Sequence, residues 1–487
     1  MKYKNPVLFS DYSDPDVIRV GQYFYLVASS FNFMPCVPVL RSRNLVEWEH
    51  VNYVADRLPF GEFDGCVRHG EGVWAPSLRY RDGRFYCIMP IYGRGIYVSE
   101  AQSAEGEWSP LRLLIDDPGV IDPCPIWVED RCYLAVAFAR SKAGFNSVIA
   151  LYEVSPDLTS CLSDGYRIIY DGHDVNPVIE GPKLYKRGKY FYILAPAGSV
   201  RSGWQTALRS LDIYGPYESK IVLMQDDTPI NGPHQGALVD CPDGRDMFVH
   251  FQDMRVYGRV VHLQPVTWQD GWPLCGAVKY DGLAGKPTSG GDYPVDVSTG
   301  ACVPLSDGFS GDRLSPLWQT PSNMQGDWYS LGGGLSLNCV HFGCAVCDLP
   351  NLFTTKLAAK NFSARCSLTF MPDAEGDEAG FGVVGEKYAF VKMAYSGGAV
   401  RLYMTCDGGE KLLGECPRAA EMEIVGTNRN IYELWLTFSV NGAKLGGEYR
   451  VSAGRWVGAR LALFGRNASC GGSSGRVLIN SFKVTKL

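Results

Sequence analysis

A chain of 487 residues, of which 46% are hydrophobic and 12% aromatic, is too long for one ordinary hydrophobic core and rich enough to fill two. Its 46 basic and 52 acidic residues give a net charge of −6, and the absence of long like-charge runs argues against a nucleic-acid partner. No apolar segment reaches membrane-spanning length, and the opening residues MKYKNPVLFSDYSDPD contain no signal-peptide core. A cytoplasmic protein without a membrane partner is therefore expected.

Five segments of the chain repeat one pattern, in which a turn rich in glycine and aspartate leads into an aromatic, alternating strand. Each segment predicts a β-hairpin, and the turns are marked by Gly21, Gly83, Asp130, Gly188 and Gly244. Successive markers lie 47 to 62 residues apart, a spacing that is typical of four-stranded propeller blades and not of helical repeats. The pattern predicts a five-bladed β-propeller.

A chemically distinctive residue stands seven to ten positions before each marker, at the start of the apolar strand that leads into the turn. These five residues are Asp14, Trp74, Asp122, Glu180 and His234. Because the first strand of every propeller blade lines the central axis, we expect their side chains to face one funnel. A single Asp-Pro or Gly-Pro pair more often marks only a turn, but five such positions in phase with the repeat favour a shared site.

The chain between about residues 281 and 312 is rich in Gly, Pro and Ser, which predicts a linker or wrapping loop and domains at 1–300 and 301–487. Strands with alternating apolar residues follow, and no amphipathic helix is evident. One apolar face comprises Phe362, Ala364, Cys366, Leu368 and Phe370, and another comprises Tyr432, Leu434, Leu436 and Phe438. The predicted fold class is all-β, a five-bladed β-propeller followed by a β-sandwich.

The sixteen cysteines are spread through a long chain with abundant hydrophobic residues, so most are interpreted as reduced, buried thiols and not as a disulfide scaffold. Cys339, Cys344 and Cys347 have a C-x4-C-x2-C spacing that some iron–sulfur proteins use. A fourth ligand at a matching position is not evident, and the intervening residues look like a strand. A metal cluster is not expected there.

Three carboxylates in one funnel suggest the hydrolysis of glycosidic bonds. That reaction needs one carboxylic acid to protonate the leaving oxygen and one carboxylate to activate water or to attack directly. Asp14 and Glu180 could supply this pair, while Asp122 could keep a neighbouring carboxyl protonated by like-charge repulsion and help to orient it. Trp74 offers a flat face for a sugar ring, and His234 could bind substrate, position a carboxylate or lie near a metal.

Five motifs carry a family resemblance. They are Ser13-Asp14-Pro15-Asp16-Val17, Gly72-Val73-Trp74-Ala75-Pro76, Ile121-Asp122-Pro123, Ile179-Glu180-Gly181-Pro182 and Asn231-Gly232-Pro233-His234-Gln235-Gly236. In this order the chain resembles glycoside hydrolase family 43, the β-xylosidases and α-L-arabinofuranosidases. The resemblance implies that Asp14 is the general base, that Asp122 tunes and orients the acid, and that Glu180 is the general acid of an inverting reaction.

The same resemblance implies further roles. Phe31 and Trp74 fall where the family places aromatic residues against the terminal sugar, although Phe31 could equally be a core residue, and Arg259 resembles a substrate-binding arginine. His234 matches a histidine that in several members contacts a hydrated calcium ion. No cofactor is expected to be required, and the presence of calcium at the propeller centre stays open. From near Leu314 the second domain resembles the sandwich of the β-xylosidase-like branch, which implies an exo mode of action.

The sequence thus predicts an exo-acting, inverting glycoside hydrolase that releases terminal β-D-xylose or α-L-arabinofuranose from xylan- or arabinan-derived oligosaccharides. One alternative is a carbohydrate-binding propeller that has lost catalysis. The other is a retaining five-bladed-propeller glycosidase in which Asp14 is the nucleophile. The preferred pentose and the existence of a homo-oligomer remain open at this stage.

Overall fold

The computed structural model describes residues 1–279, 281–407, 409–469 and 472–487, and its regular structure is almost entirely β. Within these ranges the helices are one short α-helix, Arg140–Ala143, and the 3-10 helices Gly61–Phe63, Arg255–Tyr257 and Val346–Asp348. None of the helices in the described ranges has the length and hydrophobicity needed to cross a membrane.

Five antiparallel sheets follow one another along the chain as the blades of a β-propeller. Blade 1 comprises Asp16–Val20, Tyr23–Val27, Cys36–Ser42 and Trp48–Ala55; blade 2 comprises Ser77–Arg81, Arg84–Ile91, Gly95–Ala101 and Arg112–Ile115; blade 3 comprises Val120–Val128, Arg131–Phe138, Val148–Val154 and Arg167–Asp171. Blade 4 comprises Lys183–Arg187, Tyr190–Ala197, Trp204–Ser210 and Glu218–Met224, with Ala277–Val278 and Gly285–Lys286 added at its edge; blade 5 comprises His234–Asp240, Asp246–Asp253, Arg259–Gln269 and Trp272–Cys275. Each predicted turn joins the first two strands of a blade, which confirms the predicted propeller.

Hydrophobic core fills the space between each pair of neighbouring blades. Between the last and first blades, for example, Phe24 and Trp48 of blade 1 pack with Val239 and Val249 of blade 5. Equivalent layers separate the other four pairs of blades. Because strands in this arrangement bury both faces, aromatic and aliphatic residues crowd the inner strands. The ring is closed by the N-terminal segment, where Leu8 and Val261 exchange two backbone hydrogen bonds of 3.0 and 3.3 Å.

The first strands of blades 1, 2 and 4 are joined by buried charges near the central axis. Asp16 is fully buried, and its Oδ2 atom accepts hydrogen bonds from Arg79 Nη1 at 2.7 Å and from the backbone N–H of Leu78 at 2.8 Å. Lys183 Nζ lies 3.7 Å from the same oxygen and donates to Ser77 Oγ at 2.8 Å. This ion group fixes three inner strands relative to one another.

The C-terminal part of the chain forms two facing sheets, which agrees with the predicted β-sandwich. One sheet has the order Tyr329–Leu331, Leu335–Asn338, Arg476–Lys486, Phe362–Met371, Ala419–Asn430, Glu433–Val440 and Ala443–Arg450. The other has the order Val340–His341, Arg460–Asn467, Asp377–Val384, Tyr388–Ser396, Ala399–Cys406 and Gly409–Glu415, with Phe353–Lys356 also paired to Arg460–Asn467.

The predicted apolar faces of the sandwich are buried, with one exception. Phe362, Phe370, Leu434 and their alternating partners are at most 2% exposed. Tyr432 instead precedes its strand, and its hydroxyl donates a hydrogen bond to Asn231 Oδ1 of the propeller at 3.1 Å. The alternating pattern predicted Tyr432 on the core face, which is wrong: its ring lies at the boundary between the domains, where its hydroxyl finds a hydrogen-bond acceptor.

The Gly/Pro/Ser-rich segment follows the propeller surface as a wrapping loop. Residues 290–292 form a strand with Lys2–Lys4, and Ser298 Oγ and Thr299 N donate to the Glu47 carboxylate at 2.7 and 2.6 Å. The propeller and sandwich also contact directly, since Gln319 Nε2 donates to the carbonyl of Pro35 at 2.7 Å. The exact domain boundary at residue 300 stays a prediction.

The described cysteines are all free thiols, and eight of the fifteen are buried. Cys470 lies outside the described residues. Cys339 is buried, whereas Cys344 is exposed and Cys347 is partly exposed, so these three thiols do not share one environment.

The buried ion group generates a stability prediction. We expect Asp16→Asn to lower the free energy of unfolding by about 3–5 kcal/mol, because it leaves Arg79 and Lys183 buried without their carboxylate. Urea unfolding of the two proteins measures the difference. Asp292→Asn is the matched control, since Asp292 pairs with Lys2 on the exposed surface and its loss should leave stability unchanged. Equal effects of the two substitutions would contradict the role given to Asp16.

Candidate active site

A small cavity opens where the inner strands of the propeller begin. Its volume is about 130 Å³, slightly below the ~150 Å³ that admits a benzene molecule in an engineered cavity. The cavity is lined by Asp14, Phe31, Trp74, Ala75, Ile121, Asp122, Glu180, Gln235, Arg259 and Trp456. Six of the seven predicted site residues therefore converge on one space, and the seventh, His234, lies behind its wall.

The backbone turns sharply where two of the carboxylates stand. Asp14 and Asp122 have left-handed φ angles of 55° and 56°, and the ladder of blade 3 shifts register between Ile121 and Cys124. Aspartate tolerates this conformation better than most residues, and bulges commonly re-aim a side chain beside a functional site. Local backbone strain at two inner strands thus accompanies the convergence of the carboxylates.

Asp14 is 5% exposed and holds two strong hydrogen bonds. Ser29 Oγ donates to Oδ2 at 2.5 Å, and Arg259 Nη1 donates to Oδ1 at 3.0 Å. Burial raises the pKa of Asp14, and the charge of Glu180 adds to this, while Arg259 and Ser29 act in the opposite direction. The two donors orient the carboxylate and stabilise its charged form.

Arg259 is held by a carboxylate that the repeat pattern did not single out. Its backbone N–H donates to Asp11 Oδ1 at 2.9 Å, and Asp11 Oδ2 accepts the N–H of Gly458 from the sandwich at 2.9 Å. A Cβ atom at Gly258 would lie 2.2 Å from Asp11 Cγ, so only glycine fits beside this carboxylate. Asp11 therefore connects Arg259, which pairs with Asp14, to the sandwich loop that carries Trp456.

Asp122 is 4% exposed, and its Oδ2 atom accepts the backbone N–H of Gly181 at 2.7 Å. Burial, followed by the charges of Glu180 and Asp14, raises the pKa of Asp122 to about 8, against the hydrogen bond from Gly181 and the charge of Lys183. Asp122 thus holds a proton at neutral pH. Through Gly181 it also fixes the turn that presents Glu180.

Glu180 is the most accessible of the three carboxyls, with 32% of its side chain exposed. Its Oε1 atom lies 3.0 Å from Nε2 of His234, which is 1% exposed. A Cβ atom at Gly181 would lie 2.3 Å from Cγ of Gln235, so the next residue must be small. Glu180 is therefore steered from beneath by His234 while its carboxyl reaches the cavity.

The question of calcium, which the family resemblance leaves open, can be examined only at the residues around His234. The Nδ1 atom of His234 is buried and has no hydrogen-bond partner among the described residues, which suits a water molecule. Those residues contain no group of three or more Asp, Glu, His or Cys side chains able to hold a metal. Because calcium prefers six to eight oxygen ligands, these side chains do not form a direct site, and the question of a hydrated ion stays open.

Aromatic rings form the other wall of the cavity. Trp74 stacks on Tyr92 with a centroid distance of 4.4 Å and an interplanar angle of 13°, and Trp74 Nε1 donates to the Gly70 carbonyl at 2.9 Å. Phe31 and Trp456 each lie 6.3 Å from Trp74. Trp456 belongs to the sandwich and is 50% exposed, so the second domain completes this wall.

Sequence reasoning missed several of these residues. Asp11, Ser29, Tyr92, Gln235 and Trp456 stand outside the in-phase positions of the five blades. Gln235 could have been found from the sequence, because it directly follows His234 in one of the five family motifs. Nothing in the local sequence of the other four signals a position near the funnel.

The comparison with known families decides the classification. Residues 3–273 match glycosyl hydrolases family 43, and residues 306–485 match the beta xylosidase C-terminal concanavalin A-like domain. The chain belongs to glycoside hydrolase family 43. The resemblance recognised from its motifs is thereby confirmed.

Individual relatives agree with this family 43 assignment. A putative beta-xylosidase of Xylanibacter ruminicola is 42% identical over 325 residues, which cover 66% of this chain and 59% of that protein, less than two thirds of its length. The non-reducing end alpha-L-arabinofuranosidase BoGH43B of Bacteroides ovatus is 29% identical over 405 residues, covering 78% and 73%. The solved structure of Bacteroides ovatus xyloglucan PUL GH43B superposes over both full chains with a TM-score of 0.85 at 24% identity, which supports the fold.

The raised pKa of Asp122 predicts a pH dependence of stability. Its folded-state pKa of about 8 exceeds its ordinary value of 3.8, so the folded protein binds the proton more tightly between these values and unfolding becomes easier as the pH rises through this window. We expect Asp122→Asn, which cannot ionise, to lose less stability than the wild type between pH 5 and pH 8, by more than about 1 kcal/mol. Urea midpoints at both pH values measure this, with Asp292→Asn as control; identical pH slopes for wild type and Asp122→Asn would contradict it.

Proposed function

We propose that this family 43 protein is an exo-acting, inverting glycoside hydrolase that releases terminal β-D-xylose or α-L-arabinofuranose from xylan- or arabinan-derived oligosaccharides. The convergence of Asp14, Asp122 and Glu180 on one small cavity carries the proposal. The relatives named beta-xylosidase and non-reducing end alpha-L-arabinofuranosidase support both pentoses. The substrate is the one partner that the proposal requires.

Asp14 is the general base in this proposal. Its carboxylate takes a proton from a water molecule as the water oxygen attacks the anomeric carbon. Arg259 and Ser29 each occupy one oxygen of Asp14, which limits the directions from which water can approach. Inversion requires the base and the acid to stand roughly 6.5–9.5 Å apart, so that water fits between the base and the sugar.

Glu180 is the general acid and protonates the glycosidic oxygen as the bond to the anomeric carbon breaks. Its exposure lets it reach a leaving group, while the contact between Asp122 and Gly181 fixes its position. Because the pKa of Asp122 is raised, its carboxyl group holds a proton at neutral pH beside Glu180. His234 acts as a positioning residue through its 3.0 Å contact with Glu180.

The exo mode follows from the size and closure of the cavity. A volume of about 130 Å³ admits no more than one terminal sugar ring, and not a chain. Trp456 of the sandwich closes one side, and Phe31 and Trp74 supply apolar surface against which a sugar ring packs. A polysaccharide running through the site would collide with this wall, so a chain end enters instead.

No cofactor is required by this scheme, since two carboxyl groups and one water molecule complete the reaction. A calcium ion bound through water near His234 would help to orient that histidine. Every step above is assigned to the protein's own side chains.

The acid and the base can be distinguished by the leaving group. We expect Glu180→Gln to lose about 10²–10⁴-fold in kcat/KM on xylobiose but much less on a nitrophenyl pentoside, because nitrophenolate departs with little protonation. Asp14→Asn should lose a similar factor on both substrates, since activation of water is needed in each case. Parallel assays of nitrophenyl β-D-xyloside and nitrophenyl α-L-arabinofuranoside with the wild type also identify the preferred pentose.

The same assays can refute the proposal. Near-normal turnover by either variant would remove its residue from the reaction, and inactivity of the wild type on every pentoside with retained sugar binding would favour a carbohydrate-binding propeller. Proton NMR of the first sugar released reports its anomeric configuration, and retention would favour Asp14 as a nucleophile. Asp292→Asn, on the exposed surface, is the control for each assay.

Trp456 provides a test of the exo mode. We expect Trp456→Ala to lower kcat/KM on xylobiose by about 10-fold, because the terminal sugar loses an apolar wall worth roughly 1–2 kcal/mol. Trp456→Phe keeps an aromatic ring and should restore most of the activity. The ratio of activity on xylan to activity on xylobiose should rise in Trp456→Ala as the pocket opens. An unchanged ratio would mean that Trp456 of the sandwich does not determine whether the protein acts on chain ends or within chains.

A further inference from the structure

A second cavity lies at the junction of the two domains and shares no residue with the active-site cavity. Its volume is about 180 Å³. The N-terminal segment, blade 1, the wrapping loop and the sandwich all contribute to its wall, which is largely apolar through side chains such as Leu8, Trp48, Val303 and Leu317. Small-molecule sites are often found in cavities of this kind, between domains, with a few polar groups on apolar walls.

Two lysines line this cavity, the exposed Lys486 and Lys356, and Lys356 supplies a cation without an ion-pair partner among the described residues. Lys356 Nζ lies 3.8 Å from the ring centroid of Tyr12, and no carboxylate in the described ranges lies within 4.0 Å of it. Glu47, on the same wall, already accepts hydrogen bonds from Ser298 and Thr299. His50 stays neutral, because burial and then the charge of Lys356 lower its pKa to about 3. The cavity wall therefore carries the Lys356 cation without an ion-pair partner in the described part of the chain, because the Glu47 carboxylate is held by Ser298 and Thr299.

The strand pairing adds a second positive charge next to the first. Lys356 stands directly opposite Arg460 in the antiparallel pair formed by their strands. Arg460 is 3% exposed, and its guanidinium donates to two neutral oxygens, Gln319 Oε1 at 3.0 Å and Thr354 Oγ1 at 3.3 Å. Like charges at directly opposed positions destabilise a sheet, and buried charges without counter-ions are costly.

Asp11 acts on both cations but does not neutralise them. Asp11 raises the pKa of both cations, but its two oxygens accept the backbone N–H groups of Arg259 and Gly458. Burial, and then the charge of Arg460, lowers the pKa of Lys356 to about 7 despite Asp11. An anion placed in the cavity would relieve the repulsion and keep Lys356 protonated.

We propose that the junction cavity binds a compact organic acid, with its carboxylate against Lys356 and its apolar body against the surrounding side chains. The size fits this class of ligand, because a cavity of ~150 Å³ admits benzene and this one has about 180 Å³. The ligand contacts the propeller, the wrapping loop and the sandwich together. Its binding favours the docked arrangement of the two domains by mass action.

Isothermal titration calorimetry of the full chain at pH 6.5 tests the proposal, with benzoate as the probe and benzamide as its neutral counterpart. We expect saturable binding of benzoate with a Kd of about 1 mM or below, and at least about 10-fold weaker binding of benzamide, which cannot form the ion pair. Lys356→Met should weaken benzoate binding by at least about 10-fold. Lys483→Met, an exposed lysine of the sandwich outside the cavity, is the matched control and should bind benzoate as the wild type does.

A crystal structure of the wild type soaked in benzoate provides an independent measurement if Lys356→Met fails to fold. Benzoate in the junction cavity with its carboxylate on Lys356 supports the proposal, and benzoate elsewhere in the crystal overturns it. Equal affinity of Lys356→Met and the wild type, equal affinity for benzamide and benzoate, or the absence of saturable binding also overturns it. Turnover of a nitrophenyl pentoside by Lys356→Met serves as its folding check.

Discussion

The burial of three carboxyl groups close to one another is the constraint on which the central funnel depends. Closing five blades into a ring brings Asp14, Asp122 and Glu180 to one cavity, where three full negative charges cannot coexist cheaply. Arg259 offsets the charge of Asp14, and a proton on Asp122 removes a second charge at neutral pH. The environments of the other two carboxyl groups differ. Asp14 is buried and accepts two hydrogen bonds, whereas Glu180 is partly exposed and contacts His234.

The sandwich takes part in this arrangement through a few contacts that cross the domain junction. Asp11 accepts backbone N–H groups from Arg259 on one side and from Gly458 on the other. The loop that holds Gly458 also carries Trp456, whose ring makes an edge contact with Trp74 at a centroid distance of 6.3 Å. Asp11 therefore contacts both Arg259, the partner of Asp14, and the loop that supplies the aromatic wall. The small size of the cavity results from the docking of both domains.

Charge is distributed in opposite senses in the two cavities. The active-site cavity holds three carboxyls against one arginine, and relieves the excess through a proton on Asp122. The junction cavity is lined by Lys356, which stands opposite Arg460, and burial followed by the charge of Arg460 lowers the pKa of Lys356. In both cavities burial contributes most to the pKa shift, and neighbouring like charges add to it.

The sequence by itself determined the five blades and the three carboxylates, because a structural repeat places each inner strand in phase with a sequence pattern. Asp14, Asp122 and Glu180 could be predicted since each opens an inner strand. Only the tertiary structure decided that His234 lies beneath Glu180, that Tyr432 turns from the sandwich core to the propeller, and that Asp11 and Trp456 reach the site. These outcomes depend on which loops of two docked domains meet, and contacts between residues hundreds of positions apart leave no periodic signal in the chain.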